Sequence, residues 1–262
     1  MSKIMVRTLD CGVRVIMEKI DYVKSAAFGV WVKAGAVYEI STNAGVSHFI
    51  EHMLFKGTNK RTASEIAEQS DAIGGNLNAF TSKECTCFYA KVLDEHIDRA
   101  IDIMSDLLLN SNLDEGDIER EKGVVTEEIL MNDDSPEDVA HEGICSLLFE
   151  NCPIARPVLG TEKTVNAFSR ASLIRYMDKR YRGGDIVISC AGSFDKAKLT
   201  DMLSGSFAAL NSGAGEERIA SRLGPGRRVG FADRDAEQGH ICICMPGFGA
   251  NDAKRFALLV LN

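Results

Sequence analysis

Two histidines and a glutamate stand close together in the sequence, at a spacing that suits a metal-dependent reaction. They are His48, Glu51 and His52, within the stretch Val46–Phe55 that we expect to form a helix. On a helix, side chains four residues apart share one face, so both imidazoles can reach the same ion while Glu51 lies beside them. A catalytic zinc site needs two such nitrogen ligands, a carboxylate that takes a proton from water, and a third ligand.

A third ligand has to come from another part of the chain, because a catalytic zinc ion normally takes three protein ligands and leaves one position open. The predicted long helix 114–131 offers Glu121 and Glu128, which lie on nearly the same face. Ile118 and Val125 share that face, so both carboxylates are expected to point inward, where an unpaired charge is unfavourable. Metal ligation by one carboxylate and support of a ligand by the other would explain this placement.

The elements that must hold these residues follow from apolar periodicity, turn residues and helix caps. We predict strands over 4–9, 13–18, 25–32, 76–82, 85–93, 185–191 and 239–246. We predict helices over 46–55, 62–74, 94–110, 114–131, 169–180, 196–210 and 252–261, and a further helix beginning at 135. Helices and strands alternate irregularly with hairpins among them, which favours the α+β class over a doubly wound parallel sheet.

The composition changes towards the end of the chain. Residues 211–226 are rich in Gly, Ser and charge, and the strand and helix predicted after them loosely repeat the order over 26–54. We therefore predict a zinc-bearing domain over 1–212, a linker over 213–227, and the truncated start of a homologous domain over 228–262. The last predicted helix stops within an apolar run, so we expect this chain to be a fragment.

Composition restricts the classes of partner and compartment. The chain has 262 residues, 45% hydrophobic content and a net charge of −8, which argues against nucleic acid and anionic membrane as main partners. The N-terminus lacks the apolar core of a signal peptide, and no apolar run approaches membrane-spanning length. The eight cysteines lack zinc-cluster spacing and are expected to be reduced and mostly buried. Together these features predict a cytoplasmic protein.

Several separate motifs resemble, in the same order, those of the M16 (pitrilysin/insulinase) metallopeptidases. They are HFIEHMLFKGT at 48–58, GGNLNAFTSKE at 74–84, EREKGVVTEEI at 119–129 and PVLGT at 157–161. Within this family the chain is most similar to bacterial relatives of the mitochondrial processing peptidase β-subunit. The resemblance implies an M16-like half with a mixed, largely antiparallel sheet packed with helices, followed by a homologous inactive domain.

The resemblance also implies a role for each residue of the site. One zinc ion per active site would be held by His48, His52 and Glu128. Glu51 would act as the general base, and Glu121 would be a supporting catalytic residue one heptad before the glutamate ligand.

A substrate-binding strand is implied as well. The resemblance places Asn78, Ala79, Phe80 and Thr81 on an edge strand of the sheet. A peptide or unfolded polypeptide would add there as an extra strand, held by main-chain hydrogen bonds that depend little on its sequence.

These observations predict a zinc-dependent endopeptidase that works with a C-terminal M16 half or a second subunit, as a dimer. Relatives close two homologous halves around the peptide, so the 262-residue fragment is expected to bind zinc but to hydrolyse peptides poorly or not at all. The alternative is a non-catalytic scaffold or a peptide-binding subunit of a heterodimer. Such members typically lack part of the metal site, whereas all four key residues are intact here.

A coincidental match is the third interpretation. The pattern H-x-x-E-H is the inverted form of the commoner zinc-protease motif, and five residues alone would leave a solvated helix face open as an explanation. The additional motifs around Glu128 and the edge strand disfavour it.

Overall fold

A six-stranded mixed sheet forms the centre of the fold. The computed structural model describes residues 4–149, 152–218, 221–226, 228–234 and 238–261. The strands are β1 (Met5–Thr8), β2 (Arg14–Lys19), β3 (Ser25–Val32), β4 (Asn76–Thr81), β5 (Thr86–Leu93) and β6 (Ile186–Gly192). They lie in the order β1-β2-β6-β3-β5-β4, in which only the β2–β6 pair is parallel. The prediction of an α+β fold with a mixed, largely antiparallel sheet is confirmed.

Several of the helices begin at cap signals in the sequence. The helices are α1 (Val46–Leu54), α2 (Ala63–Ala72), α3 (Ile97–Asn110), α4 (Glu115–Asp134), α5 (Pro136–Leu148), α6 (Glu162–Asn166), α7 (Arg170–Arg180), α8 (Lys196–Ser206) and α9 (Arg255–Leu261). Thr62 and Glu65 form a reciprocal capping box at α2, and Asp114 accepts two main-chain hydrogen bonds at the start of α4. In the described part of the chain, none of these helices is long and apolar enough to cross a membrane.

One face of the sheet forms the core and fixes the helix that carries the H-x-x-E-H motif. Alternate residues of β3 and β5, including Phe28 and Phe88, point into this core. Helix α1 contributes Phe49, Ile50 and Met53 to the same core, each with 0% exposure. Burying these apolar side chains holds α1 against the sheet, because each contributes roughly 1.5–3 kcal/mol of transfer free energy.

The end of the chain differs from its prediction. Residues 239–246 form no strand, and Ile241 and Ile243 are 89% and 85% exposed. A strand is stable only when a neighbouring strand takes up its main-chain hydrogen bonds, and no described residue pairs with this segment. The helix predicted over 252–261 is present as α9, while the domain boundaries stay a prediction.

The core packing predicts a large loss of stability when Phe88 is shortened. Phe88→Ala should lower the free energy of unfolding by about 3–5 kcal/mol, because it leaves a cavity where the residue is fully buried. Phe80→Ala, on the open face of the sheet and 40% exposed, should cost only about 1 kcal/mol. Urea unfolding followed by circular dichroism measures both variants. Equal losses would contradict this assignment of the core.

Candidate metal and catalytic site

Helices α1 and α4 bring three potential metal ligands together. His48 and His52 lie one turn apart on α1, with ring centroids separated by 4.6 Å. The Oε2 atom of Glu128, on α4, lies 3.6 Å from His48 Nε2 and 3.5 Å from His52 Nε2. The potential ligand atoms of the three residues all lie within 4.8 Å of one another.

This arrangement fits a zinc ion. Ligand atoms about 2.0–2.2 Å from a tetrahedral zinc are separated from each other by roughly 3.3–3.6 Å. The two nitrogen–oxygen distances at Glu128, 3.6 Å and 3.5 Å, agree with that separation. Two imidazoles and one carboxylate are also a common ligand set of catalytic zinc, which leaves a fourth position for water or substrate.

His48 is neutral at neutral pH, as a metal ligand must be. Burial disfavours its cation and, with His52 nearby, lowers the pKa of His48 to about 4. Its Nδ1 atom is buried without a hydrogen-bond partner among the described residues. The Nε2 atom faces Glu128 and is therefore the nitrogen available to an ion.

Glu121 contacts the second imidazole. Its Oε2 atom lies 3.1 Å from Nδ1 of His52, and its Oε1 atom lies 2.6 Å from Nζ of Lys56. A carboxylate paired with Lys56 accepts hydrogen bonds, so Nδ1 of His52 carries the proton and Nε2 keeps its lone pair. Glu121 is buried at 5% exposure, while the Glu128 side chain is 43% exposed. The inward orientation predicted for both glutamates therefore holds fully for Glu121 and partly for Glu128.

Lys56 is a residue of this site that the sequence analysis missed. It lies four residues after His52, beyond the end of α1, and its ammonium group compensates the buried charge of Glu121. The same four-residue spacing that relates His48 to His52 is the signal that could have identified it.

Glu51 connects the helix to the edge strand. Its Oε2 atom accepts a hydrogen bond from the Thr81 hydroxyl of β4. Burial raises the pKa of Glu51, and the bond from Thr81 together with the nearby His52 opposes that rise. A raised pKa brings a carboxylate closer to the range in which a general base works near neutral pH.

Strand β4 is an edge of the sheet, because β5 is its only partner strand among the described residues. Ala79 and Thr81 lie on the core-facing side, whereas Asn78 and Phe80 are exposed on the opposite side. Phe80 there contacts the ring of Trp31, with centroids 5.8 Å apart. The four residues predicted to bind substrate therefore divide between two faces of one edge strand, and Thr81 hydrogen-bonds to Glu51.

The main-chain amide of Ala79 points away from the sheet. It donates to Oδ1 of its neighbour Asn78 at 2.8 Å instead of to β5. This edge therefore offers an N–H group to an added strand, if the Asn78 side chain moves aside.

The cluster of potential metal ligands contains no cysteine among the described residues. All eight cysteines are free thiols, and Cys244 is exposed while the others are buried or partly buried. Burial raises the pKa of both Cys87 and Cys190 to about 12, so these two are protonated and poor metal ligands.

Solved structures with a similar fold include peptidases. A protease from Helicobacter pylori superposes with a TM-score of 0.78 at 20% identity, over 85% of this chain and 54% of that one. A peptidase M16 inactive domain from Pseudomonas fluorescens gives 0.77 at 17% identity, over 83% of this chain and 53% of the other. At such low identity these similarities show the fold alone.

Sequence comparison finds relatives of higher identity than these structures. A relative in Bacillus subtilis, described as an uncharacterised zinc protease, is 39% identical over 98% of this chain and 63% of its own length. Another of the same description, in Streptomyces coelicolor, is also 39% identical, over 97% of this chain and 57% of its own length. The chain thus spans about 60% of the length of these relatives. Family models match it as insulinase (peptidase family M16) over residues 14–162 and as the peptidase M16 inactive domain over 167–262. The chain belongs to peptidase family M16.

Proposed function

We propose that this chain carries the metal-binding and general-base half of a zinc endopeptidase. The observation that carries the proposal is the convergence of His48, His52 and Glu128 on one point, with Glu51 close enough to interact with the charges of His52 and Glu128. The relatives are named as zinc proteases, which supports the same chemistry.

The residues divide the reaction between them. Zinc held by His48, His52 and Glu128 would supply a Lewis acid that polarises the scissile carbonyl and acidifies water. Glu51 takes the proton of the attacking water and passes it to the leaving amine. Glu121 keeps the His52 ring in the tautomer that ligates.

The substrate would be a peptide in extended conformation. Edge strand β4 offers main-chain groups that β5 does not use, and an added strand there would bind mainly through its own main chain. Thr81 lies on this strand and bonds to Glu51, so a peptide paired with β4 would run close to the general base.

The catalytic partner would be a second M16 half or a second subunit. Two observations support this: the M16 inactive-domain match over 167–262, and the greater length of the relatives. A dimer built from such halves would enclose the peptide between them. Eight free cysteines favour a reducing compartment, and we propose the cytoplasm.

Replacement of Glu51 tests the function most simply. Glu51→Gln should retain zinc and lower peptide hydrolysis at least about 100-fold, because only the proton acceptor is lost. Glu127→Gln, an exposed neighbour of Glu128, serves as the matched control and should leave both quantities unchanged. The measurements are zinc content and cleavage of an unfolded polypeptide, made with this chain and with the chain extended to the length of its relatives.

Two results would contradict this proposal. Undiminished hydrolysis by Glu51→Gln would exclude Glu51 as the base. Zinc binding without cleavage by the extended protein, and cleavage only after a different subunit is added, would favour a peptide-binding subunit of a heterodimer.

A second prediction concerns Glu121. Glu121→Gln should weaken zinc affinity by about 10- to 100-fold, since it removes the charged partner of the His52 ring. Glu119→Gln, exposed on the same helix, should have no effect. Competition with a chromogenic zinc chelator measures the zinc affinity of both variants. Equal affinities of Glu121→Gln and Glu119→Gln would exclude the supporting role of Glu121.

A third prediction concerns the strand edge. Ala79→Pro removes an N–H group that β5 does not use and should lower kcat/KM for peptides at least about 10-fold, while zinc content is retained. Thermal unfolding of the variant monitors the strand itself. Wild-type kcat/KM in a folded Ala79→Pro protein would show that peptides do not pair with this amide.

A further inference from the structure

Helix α1 has no cap of its own. The residue before its first turn is Gly45, with φ of 88° and no side chain to accept a hydrogen bond. The first amides of a helix have no partner within the helix, and Ser, Thr, Asp or Asn usually supplies one from this position.

The surrounding backbone excludes such a cap. A Cβ atom at Gly45 would lie 2.4 Å from the carbonyl oxygen of Leu159 and 2.8 Å from Cα of Gly160. Any side chain at residue 45 would therefore collide with main-chain atoms. The positive φ adds strain for residues other than glycine.

The missing cap comes from Glu39, six residues upstream. Its Oε2 atom accepts from the amide of Gly45 at 2.7 Å, and its Oε1 atom accepts from the amide of Ser47 at 2.9 Å. Glu39 is 1% exposed, and burial raises its pKa, while the bonds from Ser47 and Gly45 oppose that rise. A carboxylate at this depth is unfavourable without such partners, and the positive end of the helix dipole favours its charge.

These bonds act on the turn that carries His48. Ser47 directly precedes His48, and its hydroxyl also bonds to that of Tyr176, 2.7 Å away on α7. The first turn of α1 is thus held at two points. The Glu39 carboxylate binds main-chain amides of this turn, and the Tyr176 hydroxyl binds the side chain of Ser47. Glu128, in contrast, is held by α4. The distance between these two ligands therefore depends on where the first turn of α1 lies.

We propose that Glu39 is a positioning residue for the metal site: its carboxylate fixes the first turn of α1 and thereby holds His48 at coordinating distance from Glu128. This inference rests on the proposed function. The proposed role is more than stabilisation of the helix, because each ligand atom of a metal site has to lie within about 0.2 Å of its standard coordination distance. Loss of the cap should therefore weaken metal binding in protein that is still folded.

The test compares Glu39→Ala and Glu39→Gln with Asp195→Ala, which removes a carboxylate cap from α8, outside the site. Zinc affinity is measured by chelator competition, and the thermal midpoint is measured on metal-free protein. Both Ala variants should lower the midpoint. Glu39→Ala should weaken zinc at least about 10-fold, as loss of a supporting group typically does, while Asp195→Ala leaves affinity unchanged. Glu39→Gln keeps an acceptor oxygen and should fall between.

The outcomes separate this inference from the function on which it rests. Folded Glu39→Ala with wild-type zinc affinity would overturn the positioning role and leave the proposed function standing. If Glu39→Ala does not fold, Glu39→Gln with wild-type affinity overturns it instead. A wild-type protein that binds no zinc would overturn the proposed function itself, and the positioning role with it.

Discussion

The contact between α1 and α4 is the interaction on which the rest of the site depends. One helix supplies both imidazoles and the other supplies Glu121 and Glu128, so neither helix alone makes a metal site. The apolar side of α1, with Phe49 and Met53, is buried in the core, and this burial holds its polar side towards α4. Hydrophobic packing thereby sets distances that the ligand chemistry needs.

The three carboxylates in and near this site, those of Glu128, Glu121 and Glu39, are each compensated in a different way. Glu128 is partly exposed and an ion would neutralise its charge, whereas the buried Glu121 is paired with Lys56 and His52. The more remote Glu39 accepts hydrogen bonds from two main-chain amides, and the nearby Arg156 also favours its charge. Each buried carboxylate therefore has its own partner, as the free energy of burying a charge requires.

Local patterns were enough to predict the fold class and most elements. The spacing of His48 and His52 predicted a shared helix face, the apolar neighbours of Glu121 predicted its burial, and the caps at Thr62 and Ser135 marked helix starts. Features that depend on irregular loops or on distant contacts were not predictable in this way. Glu39 reaches the start of α1 through an irregular loop only six residues long, and the strand expected over 239–246 lacked a partner among the described residues. Pairing between segments far apart in sequence leaves no periodic signal.

The central claim is that an ion is bound by two imidazoles and one carboxylate, although the chain also contains eight free thiols. X-ray absorption spectroscopy at the zinc edge, on protein loaded with one equivalent of zinc, tests this claim most directly. We predict nitrogen and oxygen neighbours at about 2.0–2.2 Å, with the outer-shell scattering of two imidazole rings. A sulfur neighbour at about 2.3 Å, or the absence of imidazole scattering, would contradict it.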